Sequence, residues 1–362
     1  MIKILHIGDV YLESSFANCK DFYKAKNQRN KQIKLLFDTF DFAKQNDVNV
    51  VLLAGDLFEK QIFDLKLYNS IKEKMKELED ILFFLSCGNH DYLTSESLYN
   101  KNELDNLYIF KNYIEEIRLD KFNTSIYGVS MDHNYLDCNL LKDFKVSDTS
   151  RINIMLMHGN VDANNYNSIT KEDISNSNLD YLALGHKHDY SGLITLGNTV
   201  YCYPGILYAR GFDELKSCGF IYGSIEKNNI KLEYNIVSSP KYYIYDLDIS
   251  DLSSFQQVLS KIESYDLNIN CSYQIKFEGY NNGIILDKYE LQNYFLDKVN
   301  YIEFKDNTKD NIDYDSLANE LSISGLFVKN IKNQIELTND LQTERKMRLA
   351  LKIGLDILGG KK

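Results

Sequence analysis

Five times along this chain of 362 residues, a short apolar run stops at a loop that carries aspartate, asparagine or histidine, most often beside glycine. Apolar runs of this kind are typical of strands in a parallel or mixed sheet, because both faces of such strands are covered. The carboxyl ends of parallel strands share one edge of a sheet, so their loops can gather polar side chains into one site. The five loops are, in chain order, Gly8-Asp9-Val10-Tyr11, Gly55-Asp56, Gly88-Asn89-His90-Asp91, His158-Gly159 and Gly185-His186-Lys187-His188.

The order of the predicted elements indicates two packed sheets with helices outside them. Over the first 90 residues strands and helices alternate, with strands at 2–8, 48–54 and 81–86 and helices at 17–46 and 65–78. After residue 100 the pattern changes to short strands separated by turns, at 125–131, 152–157, 181–184, 198–203, 219–225 and 230–237. We therefore expect an α/β fold in which a mostly parallel half is followed by a strand-rich half.

A second domain is predicted after residue 238, so that residues 1–238 form one domain and residues 239–362 a smaller α+β module. Its predicted strands lie at 242–248, 272–278 and 301–305, and its predicted helices at 252–264, 288–298, 315–326 and 343–358. The last helix is amphipathic, with one apolar face formed by Met347, Ala350, Leu351, Gly354, Ile357 and Leu358. That face either packs back on its own domain or docks a partner, and the sequence leaves both open.

Composition narrows the class of protein. The hydrophobic fraction is 44% and the charged fraction 26%, which is ordinary for a folded domain, and no apolar run is long enough to span a membrane. The six cysteines are scattered without a CxxC pair, which predicts reduced thiols and a cytoplasmic location. The net charge of −11 opposes the electrostatics of nucleic-acid binding and lowers the expectation of a bare DNA-binding surface.

The residue types in the five loops suit a pair of metal ions. Two divalent cations about 3.5–4 Å apart need a bridging carboxylate, imidazoles and an oxygen donor such as an asparagine amide. Carboxylate, imidazole and amide oxygen together suit Mn, Fe or Zn better than Ca. Cations held in this way activate water for attack on phosphorus. Each loop alone would be an ordinary turn, but five such loops in one chain predict a metal-dependent phosphoesterase.

These loops resemble the pattern of the calcineurin-like metallophosphoesterase superfamily, D-x-H, G-D, G-N-H-[DE], H and G-H-x-H. Within that superfamily the chain is similar to the SbcD-type exonucleases of DNA repair. The supporting segments are Leu5-His6-Ile7-Gly8-Asp9, Gly55-Asp56-Leu57-Phe58, Gly88-Asn89-His90-Asp91, Tyr203-Pro204-Gly205 and Arg210-Gly211-Phe212-Asp213-Glu214. The resemblance implies a four-layer αββα sandwich of two mixed sheets with a smaller C-terminal α+β domain.

The resemblance also implies a role for each loop residue. Asp56 would bridge two divalent metal ions, most readily Mn, with Fe or Zn as alternatives. We define position A as the ion site formed by Asp56, Asn89, His158 and His186, and position B as the site formed by Asp9, Asp56 and His188. His90 would bind no metal and would be the catalytic residue, poised over the substrate phosphate to stabilise the transition state or protonate the leaving oxygen.

One residue departs from the pattern: the histidine of D-x-H is replaced by Tyr11. Three interpretations remain open. Tyr11 binds metal at position B as a phenolate; or it stands aside while Glu13 or water takes its place; or position B is weak or empty, and the enzyme slow or inactive.

Four further residues have ordinary structural roles as alternatives to a role in the site. Asp91 is a candidate to orient His90, and Arg210 is either a partner in a surface salt bridge or a contact for the substrate phosphate. His6 is expected to lie behind the metal ligands or in the core. His133 is expected in a surface loop.

Three functions follow from these observations. The leading hypothesis is a dinuclear-metal phosphodiesterase, a DNA exonuclease of the SbcD type that acts on DNA ends in repair. By the same resemblance it would work with an SbcC-like coiled-coil ATPase and form a homodimer. The alternatives are a small-molecule or nucleotide phosphodiesterase, which the acidic charge favours, and a catalytically weak scaffold, which Tyr11 favours.

Overall fold

The computed structural model describes residues 1–16, 22–163, 165–310, 314–338 and 340–358. Within these ranges the chain forms nineteen strands, which are β1 (Ile2–Ile7), β2 (Val50–Leu53), β3 (Leu82–Leu85), β4 (Leu107–Ile109), β5 (Glu115–Leu119), β6 (Thr124–Val129), β7 (Ile152–His158), β8 (Asn160–Val161), β9 (Ser168–Ile169), β10 (Tyr181–Gly185), β11 (Ile194–Leu196), β12 (Thr199–Cys202), β13 (Gly219–Glu226), β14 (Asn229–Ile236), β15 (Lys241–Asp248), β16 (Cys271–Glu278), β17 (Tyr280–Asn281), β18 (Tyr301–Asp306) and β19 (Lys309–Asp310). The described α-helices are α1 (Phe22–Gln45), α2 (Leu65–Lys76), α3 (Lys171–Asn176), α4 (Phe255–Glu263), α5 (Lys288–Phe295), α6 (Tyr314–Ala318), α7 (Ile323–Leu337) and α8 (Leu341–Leu358).

Two six-stranded mixed sheets form the larger part of the structure. The first has the order β14-β13-β1-β2-β3-β4, and its strands β1 to β4 are parallel. The second has the order β11-β12-β10-β7-β6-β5, and its four central strands are parallel. Each sheet ends in antiparallel strands at an edge. The fold class predicted from the sequence, an α/β sandwich of two mixed sheets, is confirmed.

The alternation of side chains along the strands explains why the sheets pack face to face. Ile4 and Leu52 of the first sheet belong to the same buried cluster as Ile154 and Ala183 of the second. Residues one position along these strands point to the opposite faces, because successive side chains alternate across a strand. On the first sheet that outer face packs against α1 and α2, where Phe40 is fully buried.

Strand register brings the metal-competent loops to a common edge. In the first sheet Ile7 pairs with Leu53 and Leu53 pairs with Leu85, so β1, β2 and β3 end at the same level. In the second sheet Gly185 pairs with His158, so β10 and β7 also end together. The polar loops therefore leave both sheets at their carboxyl ends, which is the arrangement that the apolar runs predict.

Some elements differ from their predictions. The helix predicted at 17–46 is described from Phe22 onwards, and residues 17–21 lie outside the described part of the chain. The strands β4, β5 and β11 have no predicted counterpart, because each lies at the edge of its sheet, is only partly buried and carries no long apolar run. The single helix predicted at 315–326 is wrong, since α6 ends at Ala318 and α7 begins after Ser322. The Ser322 hydroxyl accepts a hydrogen bond from the amide of Gly325 and thereby caps a new helix.

The chain divides into two compact units. The first comprises Met1–Ile244, Asn268–Gln274 and Asp297–Tyr301, and the second comprises Tyr245–Leu267, Ile275–Leu296 and Ile302–Lys362. A three-stranded sheet of order β15-β16-β18 lies in the C-terminal part of the chain. The boundary after residue 238 stays a prediction.

The last two helices leave part of their apolar surface exposed. Leu351 of α8 is buried, and a side chain at Gly354 would collide with the Phe327 ring of α7, so α7 and α8 pack closely there. Leu349, Ile353 and Ile357 of α8 are each at least half exposed. No helix in the described part of the chain combines the length and the apolar character that crossing a membrane requires.

The cysteines that the structure describes carry free thiols, and they are Cys87, Cys138, Cys202, Cys218 and Cys271. The sixth cysteine, Cys19, lies outside the described residues. Within the described part of the chain this agrees with the prediction that the scattered cysteines form no disulfide framework.

Candidate metal centre

Three of the predicted ligands converge on one buried point. Asp9, Asp56 and His158 each offer a ligand atom, these atoms all lie within 4.8 Å of one another, and all three residues are buried. Asp9 follows β1, Asp56 follows β2 and His158 ends β7, so the cluster joins the edges of both sheets. Residues that are 149 positions apart in the chain are therefore neighbours in space.

The structure brings together all four side chains that were assigned to position A. His158 Nε2 lies 2.9 Å from Asn89 Oδ1 and 3.5 Å from Asp56 Oδ2. His186 Nδ1 lies 3.2 Å from the same Asn89 oxygen. Two imidazole nitrogens, a carboxylate oxygen and an amide oxygen thus face one another. This is the donor set that Mn, Fe and Zn share in proteins.

The hydrogen bonds around position A show that a cation fits there. His158 Nδ1 lies 2.9 Å from the carbonyl oxygen of Ala54, which can only accept, so Nδ1 carries the proton and Nε2 presents a lone pair. That lone pair faces the amide oxygen of Asn89, which is also an acceptor. Asp56 Oδ2 is fully buried and has no hydrogen-bond partner among the described residues. Acceptors that face acceptors in a dry site are repulsive unless a cation lies between them.

Burial sets the protonation of these ligands. It lowers the pKa of His158 to about 4, and burial together with His158 lowers the pKa of His186 to about 3, so both imidazoles are neutral at pH 7. Burial and the neighbouring Asp56 charge raise the pKa of Asp9 to about 8. Burial likewise raises the pKa of Asp56. Two carboxyls crowded in a dry site need a positive charge in order to ionise together.

Asp91 holds the backbone of the ligand loops. Its carboxylate accepts hydrogen bonds from the amides of Leu57 and Phe58 at 2.9 and 3.2 Å, and from the amides of Gly88 and Asp56 at 2.9 and 3.2 Å. The Tyr99 hydroxyl donates a further bond at 2.6 Å. The expectation that Asp91 orients His90 is corrected: its carboxylate is used to fix the β2 and β3 loops against each other.

His90 lies at the rim of the centre, where a substrate could reach it. Its backbone amide donates to Asp56 Oδ1 at 2.8 Å, and its Nδ1 donates to the carbonyl oxygen of Glu59 at 3.0 Å. Its side chain is 38% exposed, and its Nε2 has no hydrogen bond to any residue that the structure describes. The ring is therefore fixed through one nitrogen and presents the other to solvent.

Tyr11 stands at position B. Its side chain is buried, and its hydroxyl lies 2.9 Å from Nε2 of His188. Burial, together with the charges of Asp9 and Asp56, raises the pKa of the Tyr11 phenol well above its ordinary value. Glu13 is exposed and accepts a hydrogen bond from the amide of Asp64, so it faces away from the centre.

Arg210 joins two acidic residues beside Tyr11. Its guanidinium lies 2.7 Å from Glu59 and 2.6 Å from Glu214, and its Cζ lies 3.7 Å from the centre of the Tyr11 ring. Burial would raise the pKa of Glu214, but hydrogen bonds from His188 and Arg210 outweigh it and lower that pKa. Of the two sequence interpretations for Arg210, the ion pair is present, but it is largely buried instead of lying on the surface.

Three residues at the centre had no role assigned from the sequence. Glu59 follows Asp56 by three positions, and Glu214 follows Arg210 by four. Their closeness in sequence to these motif residues is the feature that could have indicated a role for them. The third is Tyr166, whose ring centre lies 5.0 Å from that of His186. Nothing in the local sequence distinguished Tyr166 from the other tyrosines of this tyrosine-rich chain.

The two remaining histidines lie where ordinary structural roles predict. His6 is fully buried, and its Nδ1 lies 2.9 Å from the Tyr181 hydroxyl, between the two sheets. His133 is exposed and pairs with Asp132. Neither belongs to the ligand cluster.

Comparison with known proteins agrees with this geometry. The profile of the family described as calcineurin-like phosphoesterase matches residues 2–190, which is more than half of the chain and includes every ligand loop. The chain belongs to the calcineurin-like phosphoesterase family, whose members are metal-dependent hydrolases.

Two curated relatives are similar at a distance. An uncharacterised metallophosphoesterase, YhaO of Bacillus subtilis, is 24% identical over 278 residues, covering 72% of this chain and 67% of the relative. The DNA double-strand break repair protein Mre11 of Aeropyrum pernix is 24% identical over 297 residues, covering 72% of this chain and 67% of the relative.

Proposed function

We propose that this chain is a metal-dependent phosphodiesterase that degrades DNA from its ends, as an SbcD-type exonuclease does, with Mn ions at positions A and B. The observation that carries the proposal is the set of facing acceptor atoms at position A, beside an imidazole that is fixed and solvent-accessible. Divalent cations at such a centre supply Lewis-acid activation of a phosphate and of the attacking water.

The protein's own groups divide the remaining work. His90 presents Nε2 to the substrate side while the Glu59 carbonyl holds its Nδ1. With Nδ1 protonated in this way, neutral His90 presents an unprotonated Nε2. Once the ring has taken up a second proton, Nε2 can donate a hydrogen bond to a phosphate oxygen or protonate a leaving oxygen. Asp91 keeps the loops that carry Asp56 and Asn89 in register, which preserves the geometry that the reaction needs.

A nucleobase-bearing substrate is supported by two observations. One relative is named as a DNA double-strand break repair protein. Tyr166 and the half-exposed Tyr135 form an aromatic pair, with ring centres 5.6 Å apart, next to His186. Aromatic side chains beside a nuclease centre can stack on bases without regard to sequence. The net charge of −11 opposes long-range attraction of DNA, so such short-range contacts and the metal ions would carry the binding.

The first experiment substitutes His90→Gln and measures degradation of linear duplex DNA in Mn. We expect the rate to fall by about 10²- to 10⁴-fold, which is the contribution of a positioned general acid. Bound Mn should stay unchanged, because His90 is not a ligand. His133→Gln is the matched control and should keep full activity, since His133 is exposed outside the centre. Full activity in His90→Gln would contradict the proposed role.

A small-molecule or nucleotide phosphodiesterase is the second candidate, favoured by the acidic charge. Turnover of bis-p-nitrophenyl phosphate is compared with degradation of DNA ends by the same preparation. Rapid turnover of the small ester with intact DNA would replace the first proposal with this one. A chain that binds no metal and cleaves neither substrate would be a scaffold instead.

We further propose that the exposed apolar stripe of α8, defined as Leu349, Ile353 and Ile357, docks a coiled-coil ATPase of the SbcC type. The chain contains no GxxxxGK[ST] motif that would let it bind a nucleotide in that way itself. A homodimer and a cytoplasmic location remain predictions, the latter from the scattered cysteines.

A further inference from the structure

His158 of position A and His188 of position B differ in the hydrogen bonds that their ring nitrogens make. His158 donates from Nδ1 to a backbone carbonyl and points Nε2 at oxygens that can only accept. His188 has its Nδ1 3.2 Å from Glu214 Oε1 and its Nε2 2.9 Å from the Tyr11 hydroxyl. Both ring nitrogens of His188 are therefore engaged by protein groups, whereas Nε2 of His158 is free to bind a cation.

Tyr11 cannot leave this place without breaking several contacts. Its amide donates to the carbonyl oxygen of Asp56 at 2.9 Å, and its own carbonyl oxygen accepts from Gln32 Nε2 at 3.3 Å. Its φ is +55°, a left-handed conformation that only a well-determined loop imposes on a tyrosine. The Arg210 guanidinium lies over one face of the ring, 3.7 Å from its centre.

Arg210 is itself anchored on both sides. It pairs with Glu59 and with Glu214, and Glu214 is 3% exposed. Glu214 also contacts His188, so one ion-pair network holds both the tyrosine and the histidine of position B. We name these linked residues the Tyr11 clamp: Tyr11, Glu59, His188, Arg210 and Glu214.

We propose that the Tyr11 clamp makes the two ion positions unequal in their affinity for a divalent cation. Position A binds a divalent cation tightly, whereas position B binds one only after the hydrogen bond between Tyr11 and His188 has broken, and therefore much more weakly. The phenol acts as a competitor for His188 and not as a metal ligand. This inference rests on the metal-dependent function proposed above and concerns how strongly each ion is held.

The test is a titration of the metal-free full-length chain with MnCl₂, read as bound Mn per chain by equilibrium dialysis. The wild-type chain should bind one ion tightly and a second about 10- to 100-fold more weakly, which is the loss of affinity expected when a ligand's supporting contacts are altered. Two ions of equal affinity in the wild type would overturn the inference without any variant.

Two substitutions separate competition from coordination. Tyr11→Phe removes the hydroxyl and frees His188, so the second ion should bind about tenfold more tightly than in the wild type. Tyr11→His adds an imidazole, so the second ion should bind more tightly still. The low-temperature electron paramagnetic resonance spectrum should then be that of a coupled Mn pair. Tyr127→Phe is the matched control, because its hydroxyl contacts Glu116 away from the centre. Weaker second binding in Tyr11→Phe would show that the phenol is a ligand and overturn the inference.

The outcome is separable from that of the proposed function. A wild-type chain that binds Mn unequally but hydrolyses no phosphodiester at saturating Mn would refute the function and keep the inference. A chain that cleaves DNA and binds two ions equally would do the reverse.

Discussion

At the scale of single residues, the centre depends on groups that hold its side chains in place. Arg210 is the clearest, because it is the cation between Glu59 and Glu214 and also covers the Tyr11 ring. Its side chain is 16% exposed and that of Glu214 is 1% exposed, so water screens this network poorly. The sequence suggested a salt bridge here but not that it would be buried within the metal centre.

We expect Arg210→Ala to lower the free energy of unfolding by about 3–5 kcal/mol, because it leaves a buried carboxylate without its cation. Urea denaturation of the metal-free chain measures this. Arg118→Ala is the matched control: Arg118 pairs with Glu116 on the surface, where such pairs contribute about 0–1 kcal/mol. Equal losses in the two variants would mean that the network around Arg210 contributes no more than a surface pair.

At the scale of elements, the ends of strands from different sheets meet closely at the centre. An added Cβ at Gly185, at the end of β10, would lie 1.8 Å from the carbonyl oxygen of Ala54, which follows β2. Only glycine permits this approach, so the G-H-x-H glycine is required by packing between sheets as well as by the turn.

Helix α8 is the element on which the proposed binding of a partner can be tested. Leu349→Asp or Ile353→Asp puts a charge on the α8 stripe and should weaken binding to a purified SbcC-type ATPase by at least about tenfold, because buried apolar contact is replaced by a desolvated charge. Analytical ultracentrifugation of the mixed chains measures this. The matched control is Ile62→Asp, which changes an exposed isoleucine outside α8. Unchanged binding in the α8 variants would exclude the stripe as the docking surface.

At the scale of the whole molecule, the metal centre links stability to pH. The folded metal-free chain keeps a proton on Asp9, whose pKa is raised to about 8, while the unfolded chain has already released it. Contacts with Glu214 and Asp9 also outweigh burial and raise the pKa of His188. Because the folded state binds more protons, raising the pH through this range favours unfolding.

We therefore expect the metal-free chain, in EDTA, to lose stability from pH 6.5 to pH 8, by up to about 1.4 kcal/mol per pH unit for each proton involved. Below pH 6.5 the lowered histidine pKa values act in the opposite direction, so the window is chosen above it. Urea denaturation at several pH values measures the slope. Asp9→Asn should flatten it, and added Mn should stabilise the protein more at pH 8 than at pH 6.5. A slope of the opposite sign would refute this linkage.

Much of the architecture could be predicted because it depends on local patterns. Buried apolar runs identified β1, β2, β3, β7 and β10, and the polar residues after them identified the ligand loops. Very short strands such as β4 and the break between α6 and α7 could not be predicted, because pairing with neighbouring strands and the cap at Ser322 decide them.

The sequence by itself determined which donor atoms this protein can offer and that they would leave parallel strands at the same edge. Only the tertiary structure decided what each donor faces: a carbonyl behind His158, a phenol in front of His188, and four amides around Asp91. The physical reason is that hydrogen bonds between loops join residues far apart in the chain, such as Tyr11 and His188, which are separated by 177 positions. Local spacing carries no information about contacts of that kind, and it is those contacts that distinguish position A from position B.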